Sequence, residues 1–184
     1  DEDKADLIYR MIVLGLHLKD GHRITGMLGD PVMQRMFELG RKAGNIAMRY
    51  IEIIRFQELD SGALLAVIDP EADVLALIAP DFSNRLPLEN WMIYDRRRQK
   101  AAIHPAGKGW FLVEEVDERS VLEAELSHEE ARYGELWKCF FKTLTIEARV
   151  NQKLQTSLIP LKYRDFMKEF QNESLREDCE KCQN

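Results

Sequence analysis

Positive charge is what this sequence most conspicuously lacks. It carries 26 Lys and Arg against 32 Asp and Glu, a formal net charge of −6. A protein that binds DNA without regard to sequence draws its affinity from phosphate neutralisation and is usually basic. Bulk charge therefore excludes that class, and any nucleic-acid contact must come from a local patch. Cysteine is also scarce. An odd count of 3 argues against a disulfide framework and fits a reducing compartment. No apolar run approaches the length needed to span a bilayer, and no signal-like segment opens the chain. These absences together point to a cytoplasmic protein with no membrane contact. Internal repeats and low-complexity segments are missing too.

Several catalytic signatures are absent as well. The 4 histidines, His17, His22, His104 and His128, show no HxxxH or HExxH pattern. Gly26 and Gly29 lack the lysine or GxGxxG context of a phosphate-cradling loop. No cofactor motif is present.

What remains is the composition of a folded domain. Apolar residues make up 45% of the 184, enough for a core, and charged residues make up 32%, enough to solvate it. The expectation is one α+β domain over residues 1–171, with a polar tail over 172–184.

Residues 1–49 read as helical. Leu7, Met11, Leu14 and Leu18 share one helix face, and the glycines from Gly21 to Gly29 mark a loop. Asp30-Pro31 has the form of a cap followed by a first-turn proline. From there Val32, Met36, Leu39, Ala43, Ile46 and Tyr50 form one apolar stripe.

Residues 50–116 read as β-rich with one helix. Strands are expected over Tyr50–Leu59 and Ala63–Ile68, joined by the Asp60-Ser61-Gly62 turn. Asp73–Leu86 has helical spacing that Pro80 must kink or divide. Strands follow at Trp91–Tyr94, Ala101–His104 and Trp110–Val116. This order favours a small, mainly antiparallel sheet flanked by helices.

Residues 127–171 read as helical again. Ser127 and Glu130 match a capping box. Tyr133, Trp137, Phe140 and Leu144 form an apolar face. Pro160 opens a further helix carrying Tyr163, Phe166, Met167 and Phe170. Trp91, Trp137, Phe140 and Phe141 are expected in the core.

Three groups of residues could carry chemistry. Cys179 and Cys182 have the spacing of half a metal site, but no second pair completes it, so no metal is expected and the pair reads as dispensable. The densest basic run, Arg96-Arg97-Arg98-Gln99-Lys100, falls at a predicted hairpin tip, where arginine forks suit phosphate oxygens. Glu58, Asp69, Asp73 and Asp95 lie near strand ends and could supply a general base or a magnesium ligand. Turn formation and helix capping explain Asp69 and Asp73 equally well.

From Val32 to Gln171 the chain resembles a bacterial family linked to DNA metabolism and DNA repair. Members of that family typically occur beside a radical-SAM DNA-modification or repair protein, and the domain is also found fused to uracil-DNA-glycosylase-like domains. The resemblance rests on Ile54-Arg55-Phe56 with Glu58, Pro70 with Asp73-Val74-Leu75, and Phe82 with Arg85. It continues through Trp91-Met92-Ile93-Tyr94-Asp95 with Arg97 and Arg98, then Leu136-Trp137 with Phe141. It ends with Ile146, Arg149, Asn151 and Leu154-Gln155, and Pro160 with Tyr163. The chain departs from its relatives at Asp81, where many have histidine, and over Asn45–Arg49, where they often carry Glu and His.

The resemblance implies an accessory role beside a radical-SAM partner, with DNA as a further contact. With the basic run, it marks Arg55, Arg85, Arg97, Arg98, Lys100, Arg149, Asn151 and Gln155 as the nucleic-acid or anion contacts. An arginine in an apolar setting needs a partner. Arg149 and at least one other, Arg55 among the candidates, are therefore expected to pair internally with Glu58, Asp95 or Glu147, and Arg98 is expected to stay exposed for anions. Two alternatives stand beside the accessory reading. One is an enzyme of phosphoryl or glycosidic chemistry, which convergence of Arg55, Arg85, Asp95 and Arg98 on one pocket would favour. The other is a scaffold without nucleic acid.

Overall fold

A computed structural model describes residues 4–123, 125–144, 151–164, 167 and 170. Helix α1 spans Lys4–His17 and leads through a short 3-10 turn at Gly21–Gly26, not an open loop, into α2 at Pro31–Ile53. The start of α2 is the one its sequence announces. The Asp30 carboxylate accepts the N–H groups of Val32 and Met33 at 2.8 and 3.3 Å, and Pro31 sits where no donor is needed.

The helix then runs past residue 49, through Tyr50 to Ile53, where a strand was expected. Ala47, Tyr50 and Ile53 are buried at helical spacing on the existing stripe. Burying that face outweighs the β preference of an Ile- and Tyr-rich stretch. Only Gln57–Glu58 is left to form β1.

The sheet has five strands in the order β1-β2-β3-β4-β5, with β2 at Leu64–Ile68, β3 at Trp91–Asp95, β4 at Lys100–His104 and β5 at Phe111–Val113. Three of the four pairings are antiparallel, as expected, while β2 and β3 run parallel. A parallel pair needs a crossover, and α3 at Leu75–Arg85 supplies it. Pro80 lies inside α3 without dividing it. The β2–β3 register pairs Ile68 with Asp95, so both strands end level. That register sets the Asp69–Glu71 loop beside the turn after β3.

Side-chain alternation gives the sheet two faces. One face, with Ala66, Ile68, Trp91, Ile93 and Ala102, packs against Ala47, Tyr50 and Ile53 of α2 and Leu75, Ile78 and Phe82 of α3. The other face carries a smaller cluster of Leu65, Tyr94, Ala101 and Val121, the last from α4 at Glu118–Leu122.

Helix α5, His128–Leu144, begins with the Ser127 hydroxyl accepting the Glu130 N–H at 3.0 Å. Its start is tied to β1, because the Ser127 N–H donates to the Glu58 carbonyl at 2.9 Å. On its apolar face Tyr133, Trp137 and Leu144 are exposed. Of the tryptophans expected inside, Trp91 is buried and Trp137 is not. The side chains of Phe140 and Phe141 lie outside the described residues. Two short helices follow, α6 at Gln152–Leu158 and α7 at Leu161–Arg164. The helix expected to carry Tyr163, Phe166, Met167 and Phe170 is described only over Leu161–Arg164; Tyr163 and Met167, the latter not helical, enter the main core, and Phe166 lies outside the described residues. No helix among the described residues is long and apolar enough to cross a membrane.

Candidate functional site

The β3–β4 turn carries the basic run, and each of its cations has a carboxylate. Arg96 pairs with Glu118, Arg97 with Asp69 at 2.7 Å, and Lys100 with Glu114 at 2.8 Å and Asp73 at 3.8 Å. The hydrogen bond from Arg97 holds the Asp69 carboxyl below the usual aspartate range.

Arg98 turns inward. Its Nη1 lies 3.0 Å from Oδ2 of Asp95 and donates to the Pro70 carbonyl at 2.9 Å, while Nη2 donates to the Glu71 carbonyl at 3.0 Å. Asp95 is fully buried, and its Oδ1 also accepts the N–H groups of Arg97 and Arg98. Burial pushes its carboxyl above the usual range, against the pull of Arg98. The expectation that Arg98 stays exposed for anions is therefore overturned. Its guanidinium stitches the β2–α3 loop to the β3–β4 turn.

The other marked residues scatter. Arg55 is exposed in the segment between α2 and β1 rather than buried in a strand, and its Nη1 donates to the Glu52 and Ile54 carbonyls at 3.3 Å. Arg85 is exposed, 3.4 Å from Asp81 and stacked over the Phe82 ring at 5.3 Å. Asn151 caps α6 by accepting the Leu154 N–H at 3.0 Å, and Gln155 is half-buried on that helix. Arg149, Cys179 and Cys182 lie outside the described residues.

Glu58 is exposed on β1 and does not join Asp69 or Asp95 in any cluster. Among the described residues, no group of three His, Cys, Asp or Glu is placed to hold a metal ion. His104 is buried, with Nδ1 3.0 Å from the Glu89 carbonyl and its ring stacked on Trp91 at 5.0 Å. That is a core environment.

Among the described residues, one concave stretch of surface lies elsewhere, along α2. A cleft of about 420 Å³ is lined by Glu38, Arg41, Lys42, Asn45, Ile46 and Arg49 of α2, by Glu71 of the β2–α3 loop and by Tyr163 of α7. The positions 38, 41, 42, 45 and 49 recur at helical spacing on the polar side of the stripe. Three cationic side chains face two carboxylates. Arg49 donates to the Leu158 carbonyl at 3.0 Å and lies 3.6 Å from Glu52. Arg41 and Lys42 have no ion-pair partner among the described residues.

A smaller compartment of about 60 Å³ adjoins the cleft, sharing Ile46, Glu71 and Tyr163 and adding Tyr50, Asp69 and Arg97. Its Tyr50 and Tyr163 rings meet edge-on at 5.3 Å, and burial pushes the Tyr50 phenol well above its ordinary value. This compartment lies at the carboxyl ends of the parallel pair, the place where α/β sheets generally seat ligands.

Sequence reasoning chose the densest basic run and missed the α2 face. The signal was available as the i, i+1, i+4, i+8 spacing of Arg41, Lys42, Asn45 and Arg49. It was masked because each of these positions looks like an ordinary solvated residue of an amphipathic helix. Residues 2–169 match the family described as DUF4130, a domain of unknown function. No curated protein and no solved structure matches the chain.

Proposed function

We propose that this chain, which belongs to the DUF4130 family, is a cytoplasmic accessory protein of bacterial DNA metabolism and repair. In this reading it acts beside a radical-SAM DNA-repair protein and touches nucleic acid through the α2 cleft. The resemblance in sequence supports the setting and the partner. The observation that supports the contact is the cleft itself: in a chain of net charge −6, Arg41 and Lys42 line a concave surface, and among the described residues no carboxylate pairs with either. Unpaired cations in a cleft concentrate potential there and favour phosphate oxygens. The hairpin-tip arginines, already paired, are poor candidates for the same role.

The test is binding of a short labelled oligonucleotide at low salt, followed by anisotropy. Arg41→Ala with Lys42→Ala should abolish most of the binding, and Arg96→Ala should leave it nearly intact. The reverse order of effects sinks the cleft and restores the hairpin tip. Co-purification of the radical-SAM protein, surviving nuclease treatment, tests the partner.

A further inference from the structure

The cleft and its compartment are chemically unequal. The larger space sets three cations, Arg41, Lys42 and Arg49, against Glu38 and Glu71, whereas the smaller one sets the single cation Arg97 against Asp69 and Glu71, with two tyrosines beside them. A bare phosphate or a duplex backbone has no use for carboxylates at one end of its site. A nucleotide does, because it presents an anion at one end and hydrogen-bond donors, sugar hydroxyls and base amino groups, at the other.

We propose that the cleft takes one nucleotide unit at a time, with its phosphate against α2 and its donor-bearing end in the Asp69–Glu71 compartment. This rests on the phosphate-contact reading above and adds the class of ligand. Asp69 already accepts both Arg97 donors, at 2.7 and 3.2 Å. A carboxylate has about four lone-pair sites, so acceptor capacity remains. The α2 cleft, about 420 Å³, is broadly open to solvent, so it can hold a phosphate without enclosing the rest of the ligand. The compartment of about 60 Å³ admits the donor edge of a sugar or base rather than a whole nucleoside. Bases in a duplex are stacked and paired, so only a free nucleotide, a strand end or an extruded nucleotide reaches a recessed compartment. Asp69 stands there because the β2–β3 register ends both strands level.

The experiment compares deoxycytidine monophosphate, inorganic pyrophosphate, a single-stranded oligonucleotide and a blunt duplex of the same sequence, all at low salt. The monophosphate should compete with the single strand, and the duplex should bind at least about ten-fold more weakly than the single strand. Direct binding of the monophosphate without single-strand binding assigns the site to free nucleotides. Competition with single-strand binding assigns it to strand ends or extruded bases.

Glu71→Gln and Asp69→Asn remove negative charge while keeping shape. For pyrophosphate that should leave affinity unchanged or raise it, since a repulsion is removed. For the monophosphate affinity should fall several-fold, because a charged acceptor becomes a weaker neutral one. A parallel rise for both ligands overturns the nucleotide assignment. Equal binding of duplex and single strand, still sensitive to Arg41→Ala with Lys42→Ala, overturns it too while leaving the phosphate-contact reading in place. No binding of any probe overturns both.

Discussion

Arg98 clamps the buried carboxylate of Asp95, with Nη1 3.0 Å from Oδ2, while its remaining donors reach the carbonyls of Pro70 and Glu71. One guanidinium thus joins the β2–α3 loop to the β3–β4 turn.

Arg98→Ala should therefore destabilise the fold. Removing one partner of a buried pair costs on the order of 3–5 kcal/mol, and the lower end applies because the Arg98 side chain is 23% exposed. At this chain length that is roughly a 6–12 °C drop in melting temperature. The drop should shrink in acid, where Asp95 can take up a proton instead of standing as an unpaired charge. A melting curve unchanged near neutral pH would refute the clamp.

Asp95 and Asp69 should respond to pH in opposite senses. Burial raises the Asp95 carboxyl, so between its ordinary value of about 3.9 and the raised folded value the native chain binds more protons than the unfolded one. Stability from Asp95 is therefore fully present below that window and lost as pH rises through it. The melting-temperature difference between the native protein and Asp95→Asn should narrow as pH climbs from about 4. A difference that widens would show the sign to be wrong. Asp69, lowered by Arg97, contributes above the ordinary range and loses its contribution as pH falls through its depressed value. That pair is 39–49% exposed, so its effect should be small.

Salt provides a separate measure of the α2 contact. Each phosphate neutralised adds about 0.7 to the slope of log affinity against log salt for a single strand. Arg41→Ala with Lys42→Ala should reduce the slope by roughly 1.4, together with the affinity. Loss of affinity with an unchanged slope would mean that these residues act through the shape of α2 instead.

Trp91 and Trp137 should behave oppositely on truncation. Trp91 is 1% exposed between the aromatic ring of Phe56 and the His104 imidazole, so Trp91→Ala should cost about 3–5 kcal/mol. Trp137 is 46% exposed on α5, and Trp137→Ala should cost less than about 1 kcal/mol. Comparable losses in urea denaturation would place Trp137 in a core contact.

By itself the sequence determined what is local. The Asp30-Pro31 cap, the stripe of α2, the turn at Asp60–Gly62, the Ser127 cap of α5 and four of the five strands follow from periodicity, turn chemistry and capping, which act within a few residues. The tertiary structure decided everything that depends on who stands opposite whom. It carried α2 through Tyr50–Ile53, because burial on the stripe outweighed β propensity. It made β2 and β3 parallel, because an intervening helix can serve as a crossover. It left Tyr133, Trp137 and Leu144 exposed, because a period identifies an apolar face but not its cover. Above all it separated the arginines. A guanidinium in a sequence declares a charge, but only the folded turn set Arg98 on Asp95, and only the strand register supplied Asp69 to Arg97, while Arg41 and Lys42 were left without an ion-pair partner among the described residues.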